Sequence, residues 1–215
     1  MTIPPSRHRG IVLFGPGAGG DPGRYTTLTG ALRDAGWDVL APFAERFAPG
    51  TVTPGQLRTR VGLLHEALAA HPDRDTLPVV AVGHSIGGWA ALCLAGARPC
   101  TRDGAELAVP AEPRVSRLVA IAPPVGWFAA PGALAAVTVP VAVHVGASDT
   151  VTPPSSTELL RAAPGPVTVT VHEGVGHFDV AMTELPPGER PAAGLDHRAF
   201  LDRLAAAVAG FLATP

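Results

Sequence analysis

Residues 83–87 read Gly-His-Ser-Ile-Gly, a pattern that can expose a serine hydroxyl for nucleophilic attack. A β-branched run precedes the pattern, and an apolar segment with helical character follows it directly. A sharp turn from strand to helix needs small residues, which Gly83 and Gly87 supply. The N–H of Ile86 would point into the same space at the positive end of the helix dipole. We therefore interpret Ser85 as a nucleophile; the alternative is a structural turn.

Two candidates for proton chemistry follow predicted strands later in the chain. Asp149 comes after a β-branched strand and is placed to orient a histidine; alternatively, it caps a helix that begins near Pro154. His177 follows the last predicted strand and is flanked by glycine, as expected for a mobile and exposed base. Asp179 is the alternative acid. The order serine, aspartate, histidine is that of one known type of catalytic triad.

A glycine-rich stretch, residues 15–20, follows the first predicted strand. It lacks the lysine of a phosphate-binding loop, and no acid follows the second strand as a dinucleotide site requires. We expect an oxyanion hole instead, in which the N–H of Ala18 joins that of Ile86. Pro16 has no side-chain hydrogen bond to offer, so this loop must be held by other means.

Apolar patterning predicts strands that alternate with helices along the whole chain. Six strands are expected, at residues 11–14, 37–41, 78–82, 115–122, 139–145 and 167–171. Five helices are expected, at residues 25–35, 57–68, 86–97, 154–163 and 200–212. This alternation predicts a single α/β domain over residues 1–215, with a mostly parallel sheet and helices on both faces. In such a sheet, active residues gather beyond the C-terminal ends of the strands.

The composition argues against several kinds of partner. The net charge is −2 and there is no run of basic residues, so neither nucleic acid nor an anionic membrane is expected to bind. No apolar run reaches the roughly 18 residues of a membrane span. The first nine residues lack the apolar core of a signal peptide, so a cytoplasmic location is expected.

The cysteines and the remaining histidines are expected to have structural roles. If Cys93 and Cys100 lay on one continuous helix, they would be roughly 10 Å apart, too far for a disulfide. Pro99 makes the local path uncertain, so a disulfide stays open as the less favoured alternative. Metal and cofactor sites are not expected, because three histidines have no partner at ligand spacing; these are His65, His71 and His144. His84 is expected to pack or hydrogen-bond locally, and His172 to be a satisfied residue of the wall.

Two loops are candidates for the walls of a pocket. Residues 123–138 are too few for a lid, but they contain Trp127 and Phe128, which belong either to the core or to the wall of a substrate pocket. We take them as pocket candidates. The proline-rich residues 183–197 follow His177 and are expected to border the site.

With these motifs the chain resembles the α/β-hydrolase superfamily over nearly its whole length. Its small lidless serine esterase and dienelactone-hydrolase-like branches are the most similar. The resemblance is carried by residues 83–88, 145–153 and 176–178, in matching order and spacing. It implies an α/β-hydrolase fold without a cap domain and hydrolysis of small-molecule carboxylic esters through an acyl-enzyme. Ser85, His177 and Asp149 would then be nucleophile, base and orienting acid.

Three departures from the family pattern are visible. Many relatives have His-Gly where this chain has Pro16-Gly17, and the strands that usually precede the oxyanion strand are absent. Dienelactone hydrolases proper use a cysteine nucleophile, so Ser85 argues against that activity. Two alternatives stay open: a thioesterase acting on acyl-coenzyme A or acyl-carrier-protein substrates, and a non-catalytic binding protein. The sequence does not predict the oligomeric state.

Overall fold

Six parallel strands form one sheet in the part of the chain that the structure describes. This computed structural model covers residues 8–48, 50–101 and 103–214. The strands are β1 (Gly10–Gly15), β2 (Trp37–Leu40), β3 (Val79–His84), β4 (Val115–Ile121), β5 (Val141–Gly146) and β6 (Val167–His172). They lie in the order β2-β1-β3-β4-β5-β6, and each neighbouring pair is parallel. The predicted parallel sheet is confirmed.

Helical segments connect these strands. The α-helices of the described residues are α1 (Thr26–Asp34), α2 (Pro54–Ala69), α3 (Ile86–Leu94) and α4 (His197–Ala213). Three 3-10 segments span Pro22–Tyr25, Val125–Phe128 and Pro154–Ala162; the first two have four residues each and the third has nine. The α-helix predicted at residues 154–163 is therefore wound more tightly than expected. Between β4 and β5 the chain has only one of these short segments, so a cap is not inserted there.

Local capping explains why helix ends differ from the predicted ones. α2 begins three residues early because Thr53 and Gln56 form a capping box, with hydrogen bonds of 3.2 Å and 3.0 Å. α4 begins early because the Asp196 carboxylate accepts from the Ala199 N–H at 3.0 Å. α3 is shorter than predicted, since Gly96 adopts a φ of 102° just beyond its end.

Each face of the sheet carries its own apolar layer. Successive strand residues point to opposite faces. Leu13 accordingly packs in the layer of α2 and α3, whereas its neighbour Phe14 packs with α1 and α4. This arrangement holds β1 and β3 rigidly in the middle of the sheet, and it confirms the prediction of helices on both faces.

The strand order reverses between β1 and β3. The chain leaves β1 toward one edge of the sheet, to β2, and leaves β3 toward the other, to β4. Connections that diverge in this way open a crevice at the C-terminal ends of the strands, where ligands of open α/β sheets bind. The glycine-rich residues 15–20 lie on one side of this crevice, and Ser85 lies on the other.

Close backbone contact between β1, β3 and α3 depends on glycines. A Cβ on Gly87 would overlap the carbonyl oxygen of Gly15, and a Cβ on Gly83 would overlap the carbonyl oxygen of Gly87. A Cβ on Gly15 would lie 2.9 Å from the Gly87 Cα. Backbone lies on both sides of each gap, so these collisions cannot be relieved by moving a side chain.

Gly87→Ala is expected to lower the free energy of unfolding by about 3 kcal/mol or more, because the start of α3 must move away from β1. Gly62→Ala is the matched control: it lies within α2, and an added Cβ there meets nothing within 4 Å. That change is expected to raise stability by about 0.5–1 kcal/mol. Urea unfolding followed by tryptophan fluorescence measures both, and equal effects would contradict the close-contact argument.

Candidate active site

Ser85 lies at the turn between β3 and α3 in a strained backbone conformation. Its φ is 53° and its ψ is −125°, values that an L-residue with a side chain rarely adopts. The turn is held because the Ser85 N–H donates to the carbonyl of Ile121 at 2.8 Å. Its own carbonyl accepts from the N–H groups of Gly88 and Trp89 in the first turn of α3. The serine side chain is thereby placed at the crevice.

A continuous hydrogen-bonded chain joins Ser85, His177 and Asp149. His177 Nε2 lies 3.0 Å from Ser85 Oγ, and His177 Nδ1 lies 2.7 Å from Asp149 Oδ2. In the neutral imidazole, Nδ1–H donates to the carboxylate and Nε2 accepts from the serine hydroxyl. The structure thus brings together the three side chains that the sequence placed at the ends of three strands.

His177 is more enclosed than predicted. Only 7% of the residue is exposed, where an exposed base was expected. Its ring packs against the rings of His84 and Phe178, with centroids 5.0 Å and 5.3 Å away. These contacts restrict the orientation of the imidazole, where the flanking glycine had indicated mobility.

Asp149 is fully buried and accepts hydrogen bonds on both carboxylate oxygens. Oδ1 accepts from the backbone N–H groups of Val151 and Thr152, each at 2.8 Å. Oδ2 lies 2.7 Å from His177 Nδ1 and 2.8 Å from Thr152 Oγ1. Burial alone would raise the pKa of Asp149, but these donors outweigh it and hold the pKa below its ordinary value. The carboxylate therefore stays ionised beside the imidazole.

Asp179, the alternative acid, has a different role. Its Oδ2 accepts from the Gly176 N–H at 3.1 Å, within the turn that carries His177. No hydrogen bond joins it to His177 among the described residues. It supports the turn, and the geometry of the site favours Asp149 as the partner of the imidazole.

His84 connects two loops of the site rather than bonding locally as expected. Its Nε2 donates to the carbonyl of His177 at 2.9 Å, so in the neutral ring Nδ1 accepts from the Tyr25 hydroxyl at 3.0 Å. The Tyr25 oxygen in turn accepts from the Gly17 N–H at 2.9 Å. Burial, and then the nearby His177, lower the pKa of His84 to about 3, which keeps the ring neutral and this direction of bonding in place.

The expected oxyanion donors have no competing acceptor. In the described part of the chain, nothing accepts from the N–H of Ala18 or of Ile86. Ala18 lines the cavity beside Ser85, and a Cβ on Gly17 would lie 3.6 Å from Ser85 Cβ. The buried side chain of Arg60 donates to carbonyls of the same loop. Both N–H groups are thus available to a ligand oxygen.

A cavity of about 360 Å³ opens beside Ser85 and His177. Its walls are mostly apolar and include Phe47, Val151, Phe178, Met182, Pro186 and Pro187. Polar residues at its rim include Asp21, Arg24 and Arg46. The expectation that residues 183–197 border the site is confirmed by the two prolines, and Arg24 Nη1 holds this loop by donating to the Leu185 carbonyl at 2.8 Å.

Trp127 and Phe128, the pocket candidates, do not line the cavity beside Ser85. Phe128 is buried in the layer of α2 and α3, because the 3-10 turn after β4 directs it into the core. Trp127 packs edge-on against Trp89, with centroids 6.3 Å apart. It lines a second cavity of about 400 Å³, which contains neither Ser85 nor His177. The cavity beside Ser85 is lined instead by the aromatic residues Tyr25, Phe47 and Phe178.

Sequence reasoning missed three residues that organise this site, Tyr25, Arg60 and Thr152. It also missed that His84 links distant loops. Arg60 carried a usable signal, since it lies three residues after Leu57 and four before Leu64, on the apolar face of α2. A charged residue on a buried helical face requires a partner. Thr152 follows Asp149 at the distance of a local capping bond, but its contact with the triad depends on the fold.

A buried histidine on β5, His144, and a half-buried one on β6, His172, lie outside the hydrogen-bonded chain of the triad. His144 Nδ1 lies 3.1 Å from His172 Nε2, and the two rings stack with centroids 5.3 Å apart. Burial, and then the proximity of His172, lower the pKa of His144 to about 4. Burial lowers the pKa of His172 as well. His172 is half-buried against Phe200, so it is a satisfied wall residue as expected.

The neutral buried histidines predict a loss of stability in mild acid. His84 and His144 have pKa values of about 3 and about 4 when folded, against 6.5 ordinarily. Below pH 6.5 the unfolded chain therefore binds more protons, and stability falls as pH falls toward 4. Each of the two histidines is expected to lower the free energy of unfolding by roughly 2 kcal/mol between pH 8 and pH 5. Urea unfolding at both pH values tests this, and His144→Gln should recover about half of the loss; an unchanged loss would contradict it.

The sequence also raised expectations about cysteines, metal sites and membrane spans, and the structure bears on each. Cys93 and Cys100 are both free thiols. Within residues 8–48, 50–101 and 103–214, no group of three or more potential ligands could hold a metal ion. In the same residues, no helix has the length and apolarity needed to cross a bilayer.

Comparisons with known proteins show a similarity of fold. No protein-family model matches the sequence, and no curated protein matches it. A dienelactone hydrolase from Anabaena variabilis is 22% identical, with a TM-score of 0.62 over 95% of this chain and 86% of that one. An esterase from Thermogutta terrifontis is 15% identical, with a TM-score of 0.64 over 98% and 85%. A serine hydrolase homologue from Coxiella burnetii is 19% identical, with a TM-score of 0.59 over 96% and 86%. The chain therefore has the α/β-hydrolase fold, as the resemblance implied.

Proposed function

We propose that this protein is a serine hydrolase that cleaves carboxylic esters through an acyl-enzyme. The observation that carries the proposal is the continuous chain of hydrogen bonds from Ser85 Oγ through His177 to Asp149. A neutral imidazole oriented by a buried carboxylate is the arrangement that activates a serine hydroxyl. Esterases are among the proteins with the same fold.

In the first half of the proposed reaction, Ser85 Oγ attacks the ester carbonyl carbon. The hydroxyl proton passes to His177 Nε2, 3.0 Å away, and Asp149 stabilises the imidazolium that forms. The carbonyl oxygen becomes an oxyanion, which in this proposal accepts hydrogen bonds from the N–H groups of Ala18 and Ile86. Collapse of this intermediate breaks the bond to the alcohol oxygen, which takes the proton from His177 and leaves.

In the second half, water hydrolyses the acyl-enzyme. The neutral His177 accepts a proton from water as the water oxygen attacks the acyl carbon, and it then returns that proton to Ser85 Oγ. The acid leaves and the free enzyme is restored. An open crevice admits water readily, and this favours hydrolysis over transfer of the acyl group to another alcohol.

A thioester would react by the same steps, with a thiol as leaving group. The non-catalytic alternative is disfavoured, because a binding module has no need for a serine, histidine and aspartate within hydrogen-bond distance of one another. Two free thiols further support the proposal that the enzyme works in a reducing compartment such as the cytoplasm.

Substrate class is tested by measuring kcat/KM for p-nitrophenyl esters from acetyl to octanoyl beside acyl-coenzyme A thioesters with the same acyl groups. The proposal expects higher values for the esters at each chain length. Thioesters that react more than about tenfold faster would reassign the protein as a thioesterase, since that factor corresponds to about 1.4 kcal/mol in the barrier. Absence of turnover on both series would contradict a hydrolase.

A further inference from the structure

Arg60 is a buried cation that binds backbone carbonyls instead of a carboxylate. Its guanidinium lies against the face of Phe47, 4.6 Å from the ring centroid. Nη1 donates to the carbonyls of Pro16 and Gly17, both at 3.0 Å. Nη2 donates to the carbonyl of Ala18 at 3.2 Å and to that of Glu45 at 3.0 Å. No salt bridge joins Arg60 to an acidic side chain within the described ranges.

These bonds set the direction of three consecutive peptide groups. The described residues contain no cis peptide bond, and in a trans peptide the C=O and the following N–H point in opposite directions. Carbonyls 16, 17 and 18 all point to Arg60, so the N–H groups of the next residues all point away from it. The N–H of Gly17 accordingly donates to another group, the Tyr25 hydroxyl, at 2.9 Å.

The Gly17–Ala18 peptide is the one that matters for catalysis. Its carbonyl is bound by Arg60, and its N–H belongs to Ala18, which lines the cavity beside Ser85. The same carbonyl also accepts from the Gly20 N–H at 2.9 Å, which closes a turn within the loop. Pro16 cannot fix this peptide through a side chain, so the side chain that holds its carbonyl is that of Arg60. The planar fork of a guanidinium can bind adjacent carbonyls at once, which a lysine ammonium on the same stem cannot reproduce.

We propose that Arg60 is a positioning residue that aims the N–H of Ala18 at the reaction's oxyanion. This inference rests on the proposed function, because an oxyanion forms only if Ser85 attacks a carbonyl group. Tyr25 holds the neighbouring peptide from the opposite side. The loop is thus clamped between a cation on α2 and a hydroxyl group at the start of α1.

The test compares Arg60→Gln and Arg60→Lys with Arg58→Gln, a matched change to an exposed arginine on the same helix. Fluorophosphonate labelling to completion, read by intact mass, first gives the fraction of active sites in each preparation. For Arg60→Gln, kcat per active site is expected to fall by roughly 100-fold, the lower end of what loss of one oxyanion donor costs. KM should stay within about threefold, since the contact is made only in the transition state.

Phenylboronic acid gives a second readout, because its adduct with the serine places an oxygen where the oxyanion forms. Its inhibition constant is expected to rise in parallel with the loss of kcat for Arg60→Gln, and Arg60→Lys should recover only part of either value. Arg58→Gln should equal wild type in both measurements. A residue needed only for folding would lower the fraction of active sites and the melting temperature while leaving both values per active site unchanged.

If Arg60→Gln lowers only the fraction of active sites and the melting temperature, the inference is overturned while the proposed function stays intact. Failure of the proposed function has a different signature: the wild type itself would neither turn over ester nor take up label. In that case no oxyanion is formed, and the inference falls as well.

Discussion

Ser85→Ala is expected to reduce kcat for ester hydrolysis by a factor on the order of 10⁵ to 10⁶. The hydroxyl at this position is the only atom placed to form the acyl-enzyme within hydrogen-bond distance of His177 Nε2 in the described structure. Without this hydroxyl the protein can still bind the ester and donate to its oxyanion, but these two effects alone accelerate hydrolysis far less. The effect is measured as the initial rate of hydrolysis of a p-nitrophenyl ester. The melting temperature of Ser85→Ala is first checked against that of the wild type.

Ser148→Ala is the matched control, because this serine is exposed and sits next to the triad aspartate. It should retain the wild-type rate. A Ser85→Ala protein that keeps more than a few per cent of wild-type activity would mean that the ester is attacked by another group.

Asp149→Asn is expected to reduce kcat by roughly 10⁴-fold, the loss seen when a triad aspartate becomes an amide. The amide nitrogen can donate to His177 Nδ1, which favours the tautomer with its proton on Nε2. That tautomer cannot accept the proton of Ser85. The hydrogen bonds from Val151 and Thr152 keep the side chain in place, so the defect should appear in kcat per active site.

Asp179→Asn tests whether the correct carboxylate has been chosen. Both aspartates are buried, and Asp179 is much the nearer to His177 in the sequence, but only Asp149 contacts the imidazole among the described residues. Asp179→Asn should therefore cost less than about tenfold, through loosening of the turn. A nearly normal Asp149→Asn enzyme beside an inactive Asp179→Asn enzyme would contradict the assignment.

Local signals in the sequence account for the parts of the fold and site that could be predicted. Strands β1, β3 and β5 are largely apolar runs that contain several β-branched residues, which suit a sheet covered on both faces. Gly83 and Gly87 mark a turn where strand and helix backbones touch. Because parallel strands end at the same edge of the sheet, candidates placed after three strands had to converge there.

Contacts between distant segments account for what could not be predicted. The bond from His84 to Tyr25 joins residues 59 positions apart, and its bond to His177 joins residues 93 positions apart. Nothing in the local sequence around His84 distinguishes such a linking role from simple packing. Trp127 and Phe128 show the same limit, because adjacent aromatic residues on a short turn point in different directions and only the packed structure decides which cavity each one meets.

Arg60 lies between these two cases. Its position on the apolar face of α2 is visible in the sequence, and it signals a buried charge that needs partners. The sequence does not show which groups bind this charge, because every residue has a backbone carbonyl whatever its side chain. The proline at position 16 indicated that the loop lacked a side-chain support, and the fold supplies that support from a helix more than 40 residues away.

The most direct test of a nucleophilic Ser85 is covalent labelling with a fluorophosphonate, followed by intact mass and peptide mapping. The account predicts one adduct per chain, located on Ser85, in the wild type and in Ser148→Ala. It predicts none in Ser85→Ala. An adduct on another residue, or labelling that survives in Ser85→Ala, would contradict it.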